Sequence, residues 1–124
     1  MIKFIKFLLF ALCLFGVKTA AFAQFTGPNS TDKMYTVKEI KSSAAKLDRS
    51  EELVKVKGFI VKQVNNDTYK FKDSTGDILV EIKKRYLPAK PFDEKTELIL
   101  IGEVDYDFLE GTEIEVEQVL FVEP

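Results

Sequence analysis

A chain of 124 residues with no histidine, no tryptophan and a single cysteine, Cys13, excludes several chemistries at once. Imidazole acid–base catalysis, the common Cys/His zinc sites and intrachain disulfides all lack their residues. The formal charge of −2 hides an asymmetry, because residues 101–124 carry 8 acidic side chains and no basic one.

The N-terminus has to be set aside before any fold is considered. Lys3 and Lys6 precede an apolar run, Phe7–Val17, and Ala21-Phe22-Ala23 places small residues where a signal peptidase reads them. The pattern predicts a cleaved, exporting signal peptide over residues 1–23. The run is short for a bilayer, so no membrane span is expected after cleavage. Cys13 follows the bulky Leu12 and reads as a leader residue rather than a lipidation site. Loss of Lys3, Lys6 and Lys18 takes the formal charge of residues 24–124 from −2 to −5. A strand-tracking nucleic-acid binder is usually basic, so polyanions are disfavoured as partners.

Residues 24–34, with Gly27, Pro28 and Asn29, show no apolar period and are expected to form a flexible arm. Domain structure is expected over residues 35–124. Thr36-Val37-Lys38-Glu39 fits a capping box. Val37, Ile40, Ala44 and Leu47 continue at helical spacing, predicting one amphipathic helix of about three turns that ends near Asp48–Ser50. A first strand is predicted over Leu53–Val64, with a bulge or sharp coil at Gly58. Asn65-Asn66-Asp67 then makes a turn.

Asp67–Ile82 holds the clearest pattern in the chain. Tyr69 and Phe71 alternate with Lys70 and Lys72, and Ile78, Val80 and Ile82 alternate with Leu79 and Glu81. Period two predicts a β-hairpin with one buried face, turning through Asp73–Asp77. Pro88 and Pro91 then allow only a short helical turn or an irregular crossing. Glu97–Val104 is predicted as a strand, Asp105–Gly111 as a loop and Thr112–Val122 as the last strand. Glu113, Glu115 and Glu117 face outward on it.

Five short strands, a short N-terminal amphipathic helix and no long parallel crossover predict a mainly β, five-stranded OB-fold barrel. Specific residues carry a resemblance. They are Phe25-x-Gly27-Pro28, Asp67-x-Tyr69-x-Phe71-Lys72-Asp73-x-Thr75-Gly76-x-Ile78-x-Val80-Glu81-Ile82, Gly102-Glu103-Val104-Asp105 and Glu113-Ile114-Glu115-Val116. This series resembles the bacterial OB-fold (BOF) family, of the YgiW/YdeI stress-tolerance type. The resemblance implies a periplasmic barrel without demonstrated catalysis, linked to envelope stress. The chain departs from the family pattern at Lys83 and Tyr86, and at Phe108, where the family tends to have tryptophan.

OB barrels generally bind on their second and third strands, flanked by the loops joining strands one–two and four–five. That surface would present Lys70, Lys72, Glu81 and Lys83, flanked by Asn65, Asn66 and the Asp105–Gly111 loop. Tyr86, Tyr106 and Phe108 could stack on a ligand, and Phe108 fits the core equally well. The leading expectation is a non-catalytic module for a small polar or saccharide ligand, such as a peptidoglycan fragment, or for an envelope protein. The alternative is an acidic surface of Asp105, Asp107, Glu110 and Glu113 that sequesters cationic peptides or metal ions. Single-stranded nucleic acid is a weaker candidate. An enzyme would need Asp105 and Asp107 as an acid–base pair. No cofactor is expected, and no metal site, because Asp105 and Asp107 lack calcium-loop spacing.

Overall fold

Thr36 opens the helical region as its spacing predicts. In the computed structural model, which describes residues 33–122, the Thr36 hydroxyl accepts from the Glu39 amide at 3.1 Å and the Glu39 carboxylate accepts from the Thr36 amide at 2.9 Å. The expected leader, with Cys13, and residues 24–32 of the expected arm lie outside the described residues. Met34, the last residue of that arm, begins a two-residue strand, β1 (Met34–Tyr35), parallel to the next strand at Lys55 and Val56.

One helix was expected and two are present. They are α1 (Val37–Ser42) and α2 (Ala44–Ser50), divided at Ser43, whose φ of −114° and ψ of 18° leave helical geometry. Ser42 Oγ donates to the Glu39 carbonyl at 3.1 Å, competing with the backbone where the break falls. The apolar stripe survives the break, and Val37, Ile40, Ala44 and Leu47 are all buried. Glu51 then closes α2 in the left-handed region at φ 55°.

Five strands make the barrel: β2 (Leu53–Gln63), β3 (Thr68–Asp73), β4 (Gly76–Glu81), β5 (Leu98–Asp107) and β6 (Gly111–Phe121). Their order is β2-β3-β4-β6-β5, and β5 returns to β2 to close it. β4 and β6 are parallel, and the other pairs in the barrel wall are antiparallel. This is the OB-fold arrangement that the five strands predicted.

β2 is shared between two neighbours. Leu53–Gly58 pair with β5, and Phe59–Gln63 pair with β3. The irregularity expected at Gly58 lies instead between Ile60 and Lys62, where the register shifts around Val61. Gly58 has a different task. A β-carbon there would sit 2.3 Å from the Lys72 carbonyl oxygen and 2.9 Å from Cζ of Phe71. The strand changes partner at Gly58 because Phe71 lies across its bare backbone.

The turn of the central hairpin is tighter than Asp73–Asp77. Asp73 pairs with Gly76, leaving only Ser74 and Thr75 in the bend. Phe71, Val80, Ile82, Leu98, Leu100 and Ile114 fill the core with no exposure, joined by Val37 and Ile40 from α1. Lys84–Tyr86 form one turn of 3₁₀ helix, within the short crossing expected ahead of the two prolines.

Candidate functional site

Alternation along β3 and β4 turns Thr68, Lys70 and Lys72 outward opposite Glu81, Leu79 and Asp77. Lys70 Nζ lies 3.9 Å from Asp77 Oδ2, with both side chains about half exposed. Lys72 stands beside Phe59 of β2 and lines a shallow apolar hollow of about 410 Å³ with Val61 and Glu94. Asn65, expected in a turn or beside a ligand, uses its side-chain oxygen on the Asp67 and Thr68 amides at 3.3 and 3.0 Å.

The parallel pairing of β4 with β6 builds a second surface. It sets Glu81 opposite Glu115, which also stands opposite Glu103 of β5. Glu113 faces Asp105 across the same β5–β6 ladder. Five carboxylates therefore share one outer face drawn from three strands. Like charges on directly opposed positions repel. Burial, then the charges of Glu81, Asp105, Glu115 and Asp67, push the Glu113 carboxyl up from its ordinary value. Burial, then Asp105, Glu81 and Glu103, push Glu115 up as well, with Lys83 pulling the other way.

These raised values carry a sign that can be measured. A carboxyl that is harder to ionise in the folded protein makes the fold bind protons more tightly than the unfolded chain. Stability is expected to rise as pH falls from neutral through the folded values toward about 4.5, the ordinary glutamate value. Chemical unfolding of Glu113→Gln/Glu115→Gln across this range should lose that rise. An unchanged pH profile would show that the two carboxylates are screened by solvent.

Glu81, Glu103 and Glu115 also line a groove of about 260 Å³ with Lys83, Arg85 and Tyr86. The Arg85 guanidinium carbon lies 4.8 Å from the centre of the Tyr86 ring. Of the expected ligand residues, the structure thus brings Glu81, Lys83 and Tyr86 together. Lys70 and Lys72 lie on the β3 side of the same sheet.

Tyr106 and Phe108 belong to a third place. The loop expected from Asp105 starts later, because the β5–β6 ladder continues to the Asp107–Gly111 pair. Only Phe108–Glu110 form the tip. Asp107 shapes it, with one carboxylate oxygen accepting from the Leu109 and Glu110 amides at 2.7 and 3.0 Å. Phe108 is 86 % exposed, which takes it out of the core, and Leu109 is 87 % exposed. Tyr106 is 37 % exposed, and its amide donates to an Asp48 carboxylate oxygen at 3.4 Å.

Of the expected acidic surface, Asp105 and Glu113 join the five-carboxylate face, while Asp107, at the end of β5, and Glu110 bracket Phe108 and Leu109. Glu103, Glu115 and Leu109 escaped sequence reasoning. The alternation of Glu113, Glu115 and Glu117 held part of the signal, but the β4–β6 register supplies the rest.

Comparison with known proteins agrees with this architecture. The family model described as "Bacterial OB fold (BOF) protein" matches residues 17–120. The "Calcium-regulated OB-fold protein CarO" of Pseudomonas aeruginosa is 41 % identical over 112 residues, which are 90 % of each chain. "Protein YgiW" of Escherichia coli K12 is 32 % identical over 122 residues, 92 % of each chain. The solved structure of the hypothetical protein ygiW from E. coli superposes with a TM-score of 0.63 at 33 % identity, covering 80 % of this chain and 98 % of that one. The chain belongs to the bacterial OB-fold (BOF) family.

Proposed function

We propose that the protein is an exported, non-catalytic binding module of the periplasm that holds a cationic ligand on the carboxylate face of β4, β6 and β5. The single observation that carries this reading is the set of five carboxylates, Glu81, Glu103, Asp105, Glu113 and Glu115, gathered from three strands onto one face. Their repulsion costs the fold something, and a multivalent cation would relieve it. Cross-strand neighbours stand about 5 Å apart and alternate residues on a strand about 7 Å apart. Among the described residues, no three acids are close enough to hold one metal ion. A grid of that spacing suits several ammonium or guanidinium groups on one peptide better than one chelated ion.

In support of the non-catalytic reading, the buried side chains among the described residues are hydrophobic, Tyr69 included, and none is a carboxylate or an amine. The same face repels phosphate, which argues against nucleic acid. That one relative is described as calcium-regulated makes divalent cations a natural competitor in the binding test. Envelope-stress tolerance would follow if the bound cation were a toxic peptide.

A second reading is supported by Tyr86. Lining the groove beside Lys83 and Arg85, its ring offers a stacking surface to a saccharide or other small polar ligand. An amide NMR titration separates the two. A lysine-rich amphipathic peptide should shift Glu81, Glu103, Asp105, Glu113 and Glu115, with binding that weakens as salt rises. Glu113→Gln/Glu115→Gln should weaken it about fivefold, the equivalent of about 1 kcal/mol. Shifts produced only by peptidoglycan fragments, centred on Lys83–Tyr86, would favour the saccharide. Silence toward the peptide at millimolar concentration would sink the cationic reading.

A further inference from the structure

The carboxylate face has a direction. β6 runs parallel to β4 and antiparallel to β5, so the acids fall into two rows across the sheet. Asp105 and Glu113 form one row, and Glu103, Glu115 and Glu81 form the next. Two residues along a strand separate the rows, a spacing of about 7 Å. Beyond the second row the sign changes. Ile82 is fully buried, and Lys83 comes out on the groove that Glu81 lines. Arg85 follows on the 3₁₀ turn, with its guanidinium against the Tyr86 ring.

The groove at this end holds both signs of charge. Glu117 lines it as well, at the slip in register where Val116 pairs with Gly102 and Gln118 with Ile101. Four carboxylates and two cations therefore share about 260 Å³. Among the described residues, neither Lys83 nor Arg85 closes an ion pair with any of these acids. The two cations are left free to take an anionic group, and the acids are left free to take cationic ones. With acids in excess, the ligand that matches the groove carries more positive than negative charge.

We infer that the ligand of this face is the C-terminal end of a basic peptide, its free carboxylate held by Lys83 and Arg85. The inference rests on the reading of the face as a cation site and names the chemical class that fits it. An extended peptide places alternate side chains about 7 Å apart, the spacing of the two carboxylate rows. A basic last residue would lie over Glu81, Glu103 and Glu115, and a basic residue two positions earlier over Asp105 and Glu113. The Arg85 fork can take a carboxylate through two parallel N–H···O bonds, and Lys83 adds a second charge. Stacking on Tyr86 restrains the guanidinium beforehand, which lowers the entropy lost on binding.

Calorimetric titration of the purified protein with N-acetyl Lys-Ala-Lys tests this, comparing the free acid with the C-terminal amide. A face that reads positive charge alone would prefer the amide, because amidation removes a negative charge. The inference requires the opposite order, with the free acid about fivefold tighter at low salt. Lys83→Gln/Arg85→Gln, at two exposed positions, should keep the circular dichroism of the wild type and reverse the order, so that the amide binds tighter. Glu113→Gln/Glu115→Gln should weaken both peptides and keep the preference for the acid. Equal binding of the two peptides by the wild type, or tighter binding of the amide, would overturn the inference and leave the cationic reading standing. So would a preference for the acid that survives Lys83→Gln/Arg85→Gln. Binding of neither peptide at millimolar concentration would overturn both.

Discussion

Gly58→Ala is expected to cost about 3 kcal/mol of folding stability, a large share of what a domain of this size has. The added methyl group would lie 2.3 Å from a backbone oxygen of Lys72 and 2.9 Å from the Phe71 ring. A flexible side chain could move aside, but a ladder carbonyl moves only with its strand. Phe71 has no exposure and lies at the centre of the core, so its ring has little room to yield. Gly111→Ala makes a useful contrast. It meets nothing within 4 Å and carries only the strain of its φ of +97°, so it should cost about 1 kcal/mol. Urea unfolding of the two variants should separate them by roughly 2 kcal/mol. Equal losses would show that the Lys72 backbone and the Phe71 ring yield to the added methyl group.

Gly58 also marks where sequence reading stops. The period-two runs around Tyr69–Phe71 and Ile78–Val80 reveal a hairpin because a strand's two faces are written in its own residues. The capping box at Thr36 is legible for the same reason, since both partners lie within four positions. A glycine in a strand is ambiguous. It can mark a bulge or a close approach, and the choice depends on what crosses it from another strand. Phe71 crosses here, and the bulge falls at Val61, a residue with no unusual local signal.

The acidic face has the same limit. Asp105, Asp107, Glu110 and Glu113 are neighbours in the chain, yet the ladder divides them between sheet and tip. Glu81 joins Glu115 only through the parallel β4–β6 register, a pairing between residues 34 positions apart. One aromatic residue at a loop edge, as Phe108 is, fits either a core or a surface. Three residues of turn, fixed by Asp107, decide the matter.

Asp73→Ala should lose about 2–3 kcal/mol at neutral pH, because one side chain joins the central hairpin to the helices. One carboxylate oxygen accepts from the Thr75 amide at 2.7 Å, the Thr75 hydroxyl at 2.6 Å and the Gly76 amide at 3.2 Å. The other accepts from the Val37 amide at 2.9 Å, across 36 residues. The Thr75 hydroxyl in turn accepts from the Lys38 amide at 3.0 Å. With the Glu39 amide bonded to Thr36, the first three amides of α1 are all satisfied, two of them by the hairpin turn. The positive end of that short helix also favours the aspartate charge. Burial raises the Asp73 pKa, but the hydrogen bonds from Thr75, Val37 and Gly76 outweigh it and hold the carboxyl below its ordinary value of 3.8. Its contribution is therefore complete above about pH 4 and fades as pH falls through the lower folded value. The stability gap between wild type and Asp73→Ala should be constant from about pH 7 to about pH 5, then narrow toward pH 3 or below. Asp73→Asn, which keeps one acceptor oxygen, should lose about half as much at neutral pH, and its gap should narrow over the same range because the titrating group is the wild-type carboxyl. A gap that stays the same at every pH would place the effect in side-chain packing rather than in the charged cap.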